Sequence, residues 1–309
     1  MANFGKMSNK FDLQIHSTAS DGKYAPAEII EIAQRNSLEV ISLTDHDTVG
    51  GLVEAVSRGE KSGVRVIPGI EMSVEDKDVH ILGYGIDYRN IELLTKLEEF
   101  KQSRIEGAKK MTENLKNAGF VVEWADVLKE VTGSVVARPH IARAILNRPE
   151  NKEKLGSIST VHEFIEVYLV PGLPCYFRRS HISAKDAIDL IHKVGGVAVW
   201  SHPALHFSGD YEALEKFLNQ MIERGLDGVE VFTSAHAEDD TEFVYGMSEK
   251  YKILRTAGSD FHAEGRPAEG SNFGASGLGD YKTYDFSTED IIPKLDEAIE
   301  KRREYKKYD

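Results

Sequence analysis

The sequence predicts an α/β fold in which a barrel of strands presents its chemistry at one rim, and three observations carry that expectation. Short apolar runs alternate with helix-length amphipathic stretches from residue 10 onward, which is the pattern of strand–helix–strand units and a parallel sheet. Several of these runs lead into histidine, aspartate or glutamate: His16 and Asp21, Asp45 and His46, Glu71, His202, and Asp260 with His262. Barrels of parallel strands collect their catalytic groups at the strands' C-terminal ends. The rhythm also stops between about residues 90 and 180 and then resumes, as it would around an insertion.

Taken in order, residues 10–15 read as a strand and 26–36 as a helix with Pro26 in its first turn. Residues 38–43 form a second strand, followed by a helix after Gly50 and Gly51. A third strand, 64–67, ends at Pro68-Gly69-Ile70-Glu71, and a fourth, 79–84, carries His80 at its start rather than its end. Residues 90–119 then read as one long amphipathic helix, with Leu93, Leu94, Leu97, Phe100, Ile105, Met111 and Leu115 near helical spacing. Its apolar repeat is too short and irregular for a coiled coil, so it is expected to pack as a cap over the barrel mouth. Shorter helices are predicted at 124–131, 139–146 and 161–168.

The barrel pattern returns with a helix at 184–194 and strands at 197–200, 228–232 and 253–256, with helices between them. A glycine-rich loop follows at 270–279, and a last helix at 289–305. The expected organisation is a barrel from 10–89 and 181–309, a mostly helical insertion from 90–180, and a flexible N-terminus over 1–9.

Composition narrows the function. The 309 residues are 41% hydrophobic and 29% charged, ordinary for a soluble globular chain. No apolar run approaches the roughly 20 residues that a membrane helix needs. The first ten residues lack the apolar core of a signal peptide. Cys175 is the single cysteine, which excludes an intrachain disulfide and a thiolate metal cluster. A cytoplasmic location follows as the expectation. Against 38 lysines and arginines stand 51 acidic residues, for a net charge of −13. That excludes a broad surface for duplex nucleic acid, but leaves room for a nucleotide or short oligonucleotide in a locally positive pocket. Bound cations would themselves supply such a field.

One histidine after a strand is usually a satisfied polar residue or a helix cap. Their recurrence at separate strand ends is what argues for a metal site. Imidazole and carboxylate without thiolate suit Mn²⁺, Fe²⁺ or Zn²⁺. A Ser-His-Asp hydrolase is set aside, because the sequence contains no Gly-x-Ser-x-Gly elbow.

The stretches that carry these residues are Asp12-Leu13-Gln14-Ile15-His16-Ser17 with Ser20-Asp21-Gly22, Thr44-Asp45-His46-Asp47, Pro68-Gly69-Ile70-Glu71, His80-Ile81-Leu82-Gly83-Tyr84, Ser201-His202-Pro203 and Gly258-Ser259-Asp260-Phe261-His262. Together they resemble the PHP (polymerase and histidinol phosphatase) family. Arg138-Pro139-His140-Ile141-Ala142 is further similar to the subfamily of small phosphoesterases that includes nucleoside 3′,5′-bisphosphate phosphatases and a 5′→3′ exoribonuclease.

The resemblance implies a distorted (β/α)7 barrel with a mostly helical insertion, and two or three divalent ions at the C-terminal rim. Carried over by position, Gln14, His16, Glu71 and Asp260 would hold the first ion. His80 and His202 would hold the second with Glu71 bridging, and Asp21, His46 and His262 the third. The family usually begins His-x-His, whereas this chain has Gln14 in the first place. A glutamine oxygen ligates hard cations but is a poorer donor than imidazole to zinc. Asp45 is expected to orient a ligand histidine, and His236 to protonate the leaving group or hold a phosphate. Arg138, His140, Arg178 and Arg179 are candidates to grip a second phosphate.

The implied activity is phosphate-ester hydrolysis by a metal-activated water, on a nucleoside 3′,5′-bisphosphate or a short oligonucleotide. Two other readings stay open at this point. One is a phosphodiesterase on a cyclic sugar phosphate; the other is a non-catalytic metal- or nucleotide-binding module whose first site has decayed.

Overall fold

The structure, a computed structural model, describes residues 10–77, 79–131, 136–177, 182–207, 209–265 and 277–305. Residues 1–9, 270–276, Arg178 and Arg179, for which expectations were stated above, lie outside them. The chain divides into two compact units, 1–94 with 182–309 and 95–181.

In the first unit, β1 (Phe11–Ile15) is buried at every position, polar Asp12 and Gln14 included. Alternation puts Phe11, Leu13 and Ile15 on one face and the two polar residues on the other, and the polar face looks into the barrel. Proline opens α1 (Pro26–Arg35), and the Glu28 carboxylate accepts the Ala25 N–H at 2.7 Å. β2 (Val40–Leu43) leads to α2 (Leu52–Ser62), which ends on Gly63 at φ 74°, a left-handed cap that favours glycine.

β3 (Arg65–Ser73) is nine residues long, so Glu71 sits within the strand rather than just past its end. Its first half pairs parallel with β2 and its second half antiparallel with β4 (His80–Tyr84). A short connection without a helix joins β3 to β4, and the Val74 N–H donates to the Val79 carbonyl at 3.1 Å. With no crossover helix between them, β4 must run backwards, and this corrects the all-parallel expectation. It also explains His80: a reversed strand begins at the rim where its neighbours end.

α3 (Ile91–Asn117) starts in the first unit and continues into the second. The second unit contains α4 (Trp124–Glu130), α5 (Arg138–Leu146), a 3-10 turn (Pro149–Asn151), α6 (Lys152–Leu155) and α7 (Val161–Tyr168). The turn and α6 have no periodic signal in the sequence. This unit has its own core, including Met111, Leu115, Phe120, Ile141, Ile145 and Phe164, with the Phe120 and Phe164 rings edge-on at 5.4 Å.

Back in the first unit come α8 (Ala184–Lys193), β5 (Val197–Trp200), a 3-10 turn (Pro203–His206), α9 (Tyr211–Glu223), β6 (Gly228–Thr233), α10 (Glu238–Tyr251), β7 (Leu254–Gly258) and α11 (Ile291–Tyr305). The seven strands pair in sequence order. β7 then meets β1: the His16 N–H donates to the Phe261 carbonyl at 2.9 Å and Ile15 bridges Phe261 in parallel. The result is a mixed seven-stranded barrel ringed by helices, with β4 antiparallel to both neighbours. Among the described residues, no helix is long and apolar enough to cross a membrane.

Candidate metal centre

The loop after β1 is folded tightly enough to return Asp21 to His16. A Cβ on Gly22 would stand 2.2 Å from the His16 carbonyl oxygen, so only glycine fits. Asp45, at the end of β2, fixes this loop. It accepts the Ser17 N–H at 2.7 Å, the Ser17 hydroxyl at 2.8 Å and the Ser20 hydroxyl at 2.6 Å. Asp45 thus acts on the loop that carries His16 and Asp21; its hydrogen bonds go to serines, not to an imidazole. Asp45→Ala is expected to weaken Mn²⁺ binding by about 10- to 100-fold, the usual cost of losing a partner that orients ligands. Calorimetric titration checks this; an unchanged affinity would count against it.

Glu71 is the centre of the cluster and is fully buried. Its Oε1 lies 3.0 Å from His80 Nδ1 and 3.4 Å from His202 Nε2. Its Oε2 lies 3.0 Å from His16 Nε2 and 3.4 Å from His46 Nδ1. Asp260 Oδ1 stands 3.2 Å from His16 Nε2 and 3.7 Å from His262 Nδ1. Asp21 closes the other side, with Oδ1 3.6 Å from His16 Nδ1 and 3.5 Å from His262 Nε2, and Oδ2 3.9 Å from His46 Nε2.

Backbone geometry adds strain here. Asp47, His202 and Asp260 have φ of 51°, 31° and 55°, in the left-handed region where side chains are disfavoured and which recurs at functional sites. Asp47 is stabilised there by its Oδ1, which accepts the Ser73 N–H at 2.9 Å.

Three overlapping groups have ligand atoms within 4.8 Å of one another: His16, Asp21, His46 and His262; His46, Glu71 and His80; and His16, Glu71 and Asp260. The grouping differs from the one carried over by position, because His16 and His46 are each shared. His202 approaches Glu71 without joining a set. Several atoms at this centre are buried but make no hydrogen bond among the described residues, namely both nitrogens of His16, His46 Nδ1, Glu71 Oε2 and His202 Nδ1. Leaving such groups unsatisfied costs about 1–3 kcal/mol each. They lie close to their neighbours but are not aligned as donors and acceptors, as expected of ligands around shared cations. The donor set fits divalent metal ions.

The charges agree. Burial opposes ionisation of Glu71, yet the imidazoles of His46 and His80 hold its carboxyl well below the usual range. Asp260 is likewise brought down to about 2, its burial outweighed by His262 and His16. Burial disfavours charge on His16, but Asp260 and Glu71 raise it well above its ordinary value. Burial wins at His46 and lowers it to about 4.

The remaining sequence candidates have other partners. His236 is buried, with Nδ1 3.0 Å from the Val231 carbonyl and Nε2 accepting the Ala204 N–H at 3.3 Å. Both nitrogens therefore serve the backbone, and burial lowers its value to about 4. The neutral ring ties the turn after His202 to β6. Arg138 and His140 open α5 in the second unit; Arg138 donates to the Leu169 carbonyl at 3.3 Å, and His140 Nδ1 accepts the Ala137 N–H at 2.9 Å.

Sequence reasoning passed over Asp12, which accepts the Ser259 N–H at 2.9 Å and the Gly279 N–H at 2.8 Å, pinning the segment that carries Asp260. An acidic residue inside an otherwise buried strand was the available signal. It also left Glu230 without a role. Glu230 accepts the His202 N–H at 2.9 Å, and burial pushes its carboxyl well above the usual range.

A barrel whose rim gathers five imidazoles around three carboxylates has the donor set of a metal-dependent hydrolase. The chain belongs to the PHP domain family, whose model matches residues 12–224. It is 31% identical over 262 residues to a 3′,5′-nucleoside bisphosphate phosphatase of Chromobacterium violaceum, covering 82% of this chain and 87% of that protein. It is 28% identical over 258 residues to a 5′-3′ exoribonuclease of Haemophilus influenzae, covering 83% and 91%. Its structure is similar, at a TM-score of 0.74 and 27% identity over 93% of this chain and 96% of the other, to a protein of Bifidobacterium adolescentis described as a metal-dependent phosphoesterase. The reading as a binding module without activity is set aside.

Proposed function

We propose that this protein hydrolyses a phosphate ester of a nucleoside 3′,5′-bisphosphate or at the end of a short oligonucleotide, using two or three divalent ions. The observation that carries this reading is Glu71, a single buried carboxylate within 3.4 Å of four imidazoles. His16, Glu71 and Asp260 would hold one ion, His46 and His80 with Glu71 a second, and Asp21 with His262 a third that shares His16 or His46. Such ions supply Lewis acidity toward phosphoryl oxygens and acidify a nearby water.

The chain's own groups do the rest. His46, neutral at physiological pH, offers a lone pair without first losing a proton. Asp21, His262 and His80 have side chains 38%, 31% and 26% exposed, whereas His16 and Glu71 are fully buried. Substrate therefore meets the cluster on the Asp21–His262–His80 side. Every one of these ligands comes from the barrel unit, to which we assign the chemistry. The insertion, with a core of its own, can vary with the substrate.

The support for a nucleotide substrate is the similarity to the bisphosphate phosphatase and the exoribonuclease. Hydrolysis with Mn²⁺ and after chelation tests the proposal, read as phosphate released from a nucleoside 3′,5′-bisphosphate, mononucleotide released from a short RNA, and ring opening of a cyclic sugar phosphate. Hydrolysis of the bisphosphate or the RNA that stops on chelation is expected. Undiminished turnover in metal-free protein would overturn it, and preference for the cyclic phosphate would overturn the substrate assignment.

A further inference from the structure

Gln14 stands where the family's first histidine ligand belongs, and it is fully buried on the inward face of β1. Its Nε2 donates to Glu71 Oε1 at 3.1 Å and to the Ser201 hydroxyl at 2.8 Å. Its Oε1 is buried too and accepts from no group among the described residues. Turning the amide over would set that oxygen 3.1 Å from Glu71 Oε1 and lose the hydrogen bond, whereas the observed orientation serves both Glu71 and Ser201. On the other side β7 runs close to β1. A Cβ on Gly258 would fall 2.5 Å from Gln14 Cβ and 2.6 Å from its backbone nitrogen, which shows how closely the two strands approach.

A ligand must offer a lone pair to the ion, and the atom Gln14 presents to the cluster is an N–H donor, which has none to give. We propose that Gln14 is a positioning residue for Glu71 and not a metal ligand. It donates to Oε1, the oxygen that also faces His80 and His202, and through Ser201 it links β1 and β3 to the end of β5. The first ion is left with His16, Glu71 and Asp260. The substitution of His by Gln has thus exchanged a ligand for a donor that holds the shared carboxylate in place.

This inference rests on the reading of the cluster as a metal centre. Calorimetric titration of the chelated protein with Mn²⁺ separates the two, using wild type, Gln14→Ala and Gln14→Glu, with circular dichroism of the metal-free forms as the check on folding. Gln14→Ala removes the donor and is expected to weaken the tightest Mn²⁺ binding by about 10- to 100-fold. Gln14→Glu supplies an anionic oxygen. It should bind Mn²⁺ as tightly as wild type or more tightly if the position ligates, and more weakly than wild type if the position must donate to Glu71. Weakened binding in both variants supports the assignment. Undiminished binding in either overturns it; should Gln14→Glu fail to fold, Gln14→Ala can still overturn it, by binding Mn²⁺ as tightly as wild type. Absence of Mn²⁺ binding by wild type would overturn the metal centre itself and this assignment with it.

Discussion

Glu71→Gln is expected to lower Mn²⁺-dependent phosphate release by a factor on the order of 10³, the upper end of what removing one preorganised electrostatic group costs. The expectation follows from how many groups depend on this side chain. Oε1 faces His80 and His202, Oε2 faces His16 and His46, and glutamine can keep only one of those oxygens. The amide nitrogen that replaces the other has no lone pair for an ion and points N–H groups at imidazoles that would need to ligate. The substitution also removes the negative charge that raises His16. Size and shape barely change, so the variant should fold, and its metal content should fall together with its activity. Phosphate release at saturating Mn²⁺ alongside elemental analysis measures both; activity within tenfold of wild type would remove Glu71 from the centre of the mechanism.

The second large effect is on stability. Saturation with Mn²⁺ at about a hundred times its dissociation constant should stabilise the fold by about 2.7 kcal/mol for each ion bound only by the native state. At roughly 2–4 °C per kcal/mol for domains of this size, one ion shifts the melting temperature by about 5–10 °C.

The shift should also depend on pH, with a sign set by His16. Its value is raised well above the ordinary 6.5, so near neutrality it carries a proton that must leave before it can ligate, and metal binding releases that proton. The Mn²⁺-induced rise in melting temperature is therefore expected to grow between about pH 6 and pH 8. The metal-free protein has the opposite dependence. Protonated His16 beside Glu71 and Asp260 contributes stability in full below the unfolded imidazole's value, and that contribution is lost as pH rises through the raised one. Melting curves with Mn²⁺ and with chelator across this range test both slopes; a shift that shrinks with pH would contradict the assignment of His16.

Much of the barrel was legible in the sequence, because apolar runs and helical spacing report which face of an element is buried. The positions of His16, Asp21, His46, Glu71, Asp260 and His262 could be read for the same reason: where a buried run stops, the next polar residue lies at a rim. Periodicity does not report strand direction. His80 at the start of its run was visible as an exception, but only the pairing of β4 with β3 and β5 shows that β4 is reversed. It does not report side-chain partners either. That Asp45 would hold serines and that His236 would give both nitrogens to the backbone depend on contacts between elements far apart in sequence. Gln14 illustrates the same limit, since its place in the motif indicates a ligand while its partner across the barrel indicates a donor.

The left-handed residues at the rim have a consequence for what the site can tolerate. Apart from glycine, the side chains that accept this backbone most readily are asparagine, aspartate and histidine. The anionic and basic side chains that ligate hard or borderline cations best are aspartate, glutamate and histidine. The two lists share only aspartate and histidine, and the cluster residues found at 202 and 260 are His and Asp. Conformation and coordination have therefore drawn from the same two-letter alphabet. At Asp260 the usual exchanges split the requirement: asparagine keeps the bend and loses the charge, while glutamate keeps the charge and loses the bend. Such positions have no conservative neighbour in sequence space, so the rim is far more restrictive than its chemistry alone would make it.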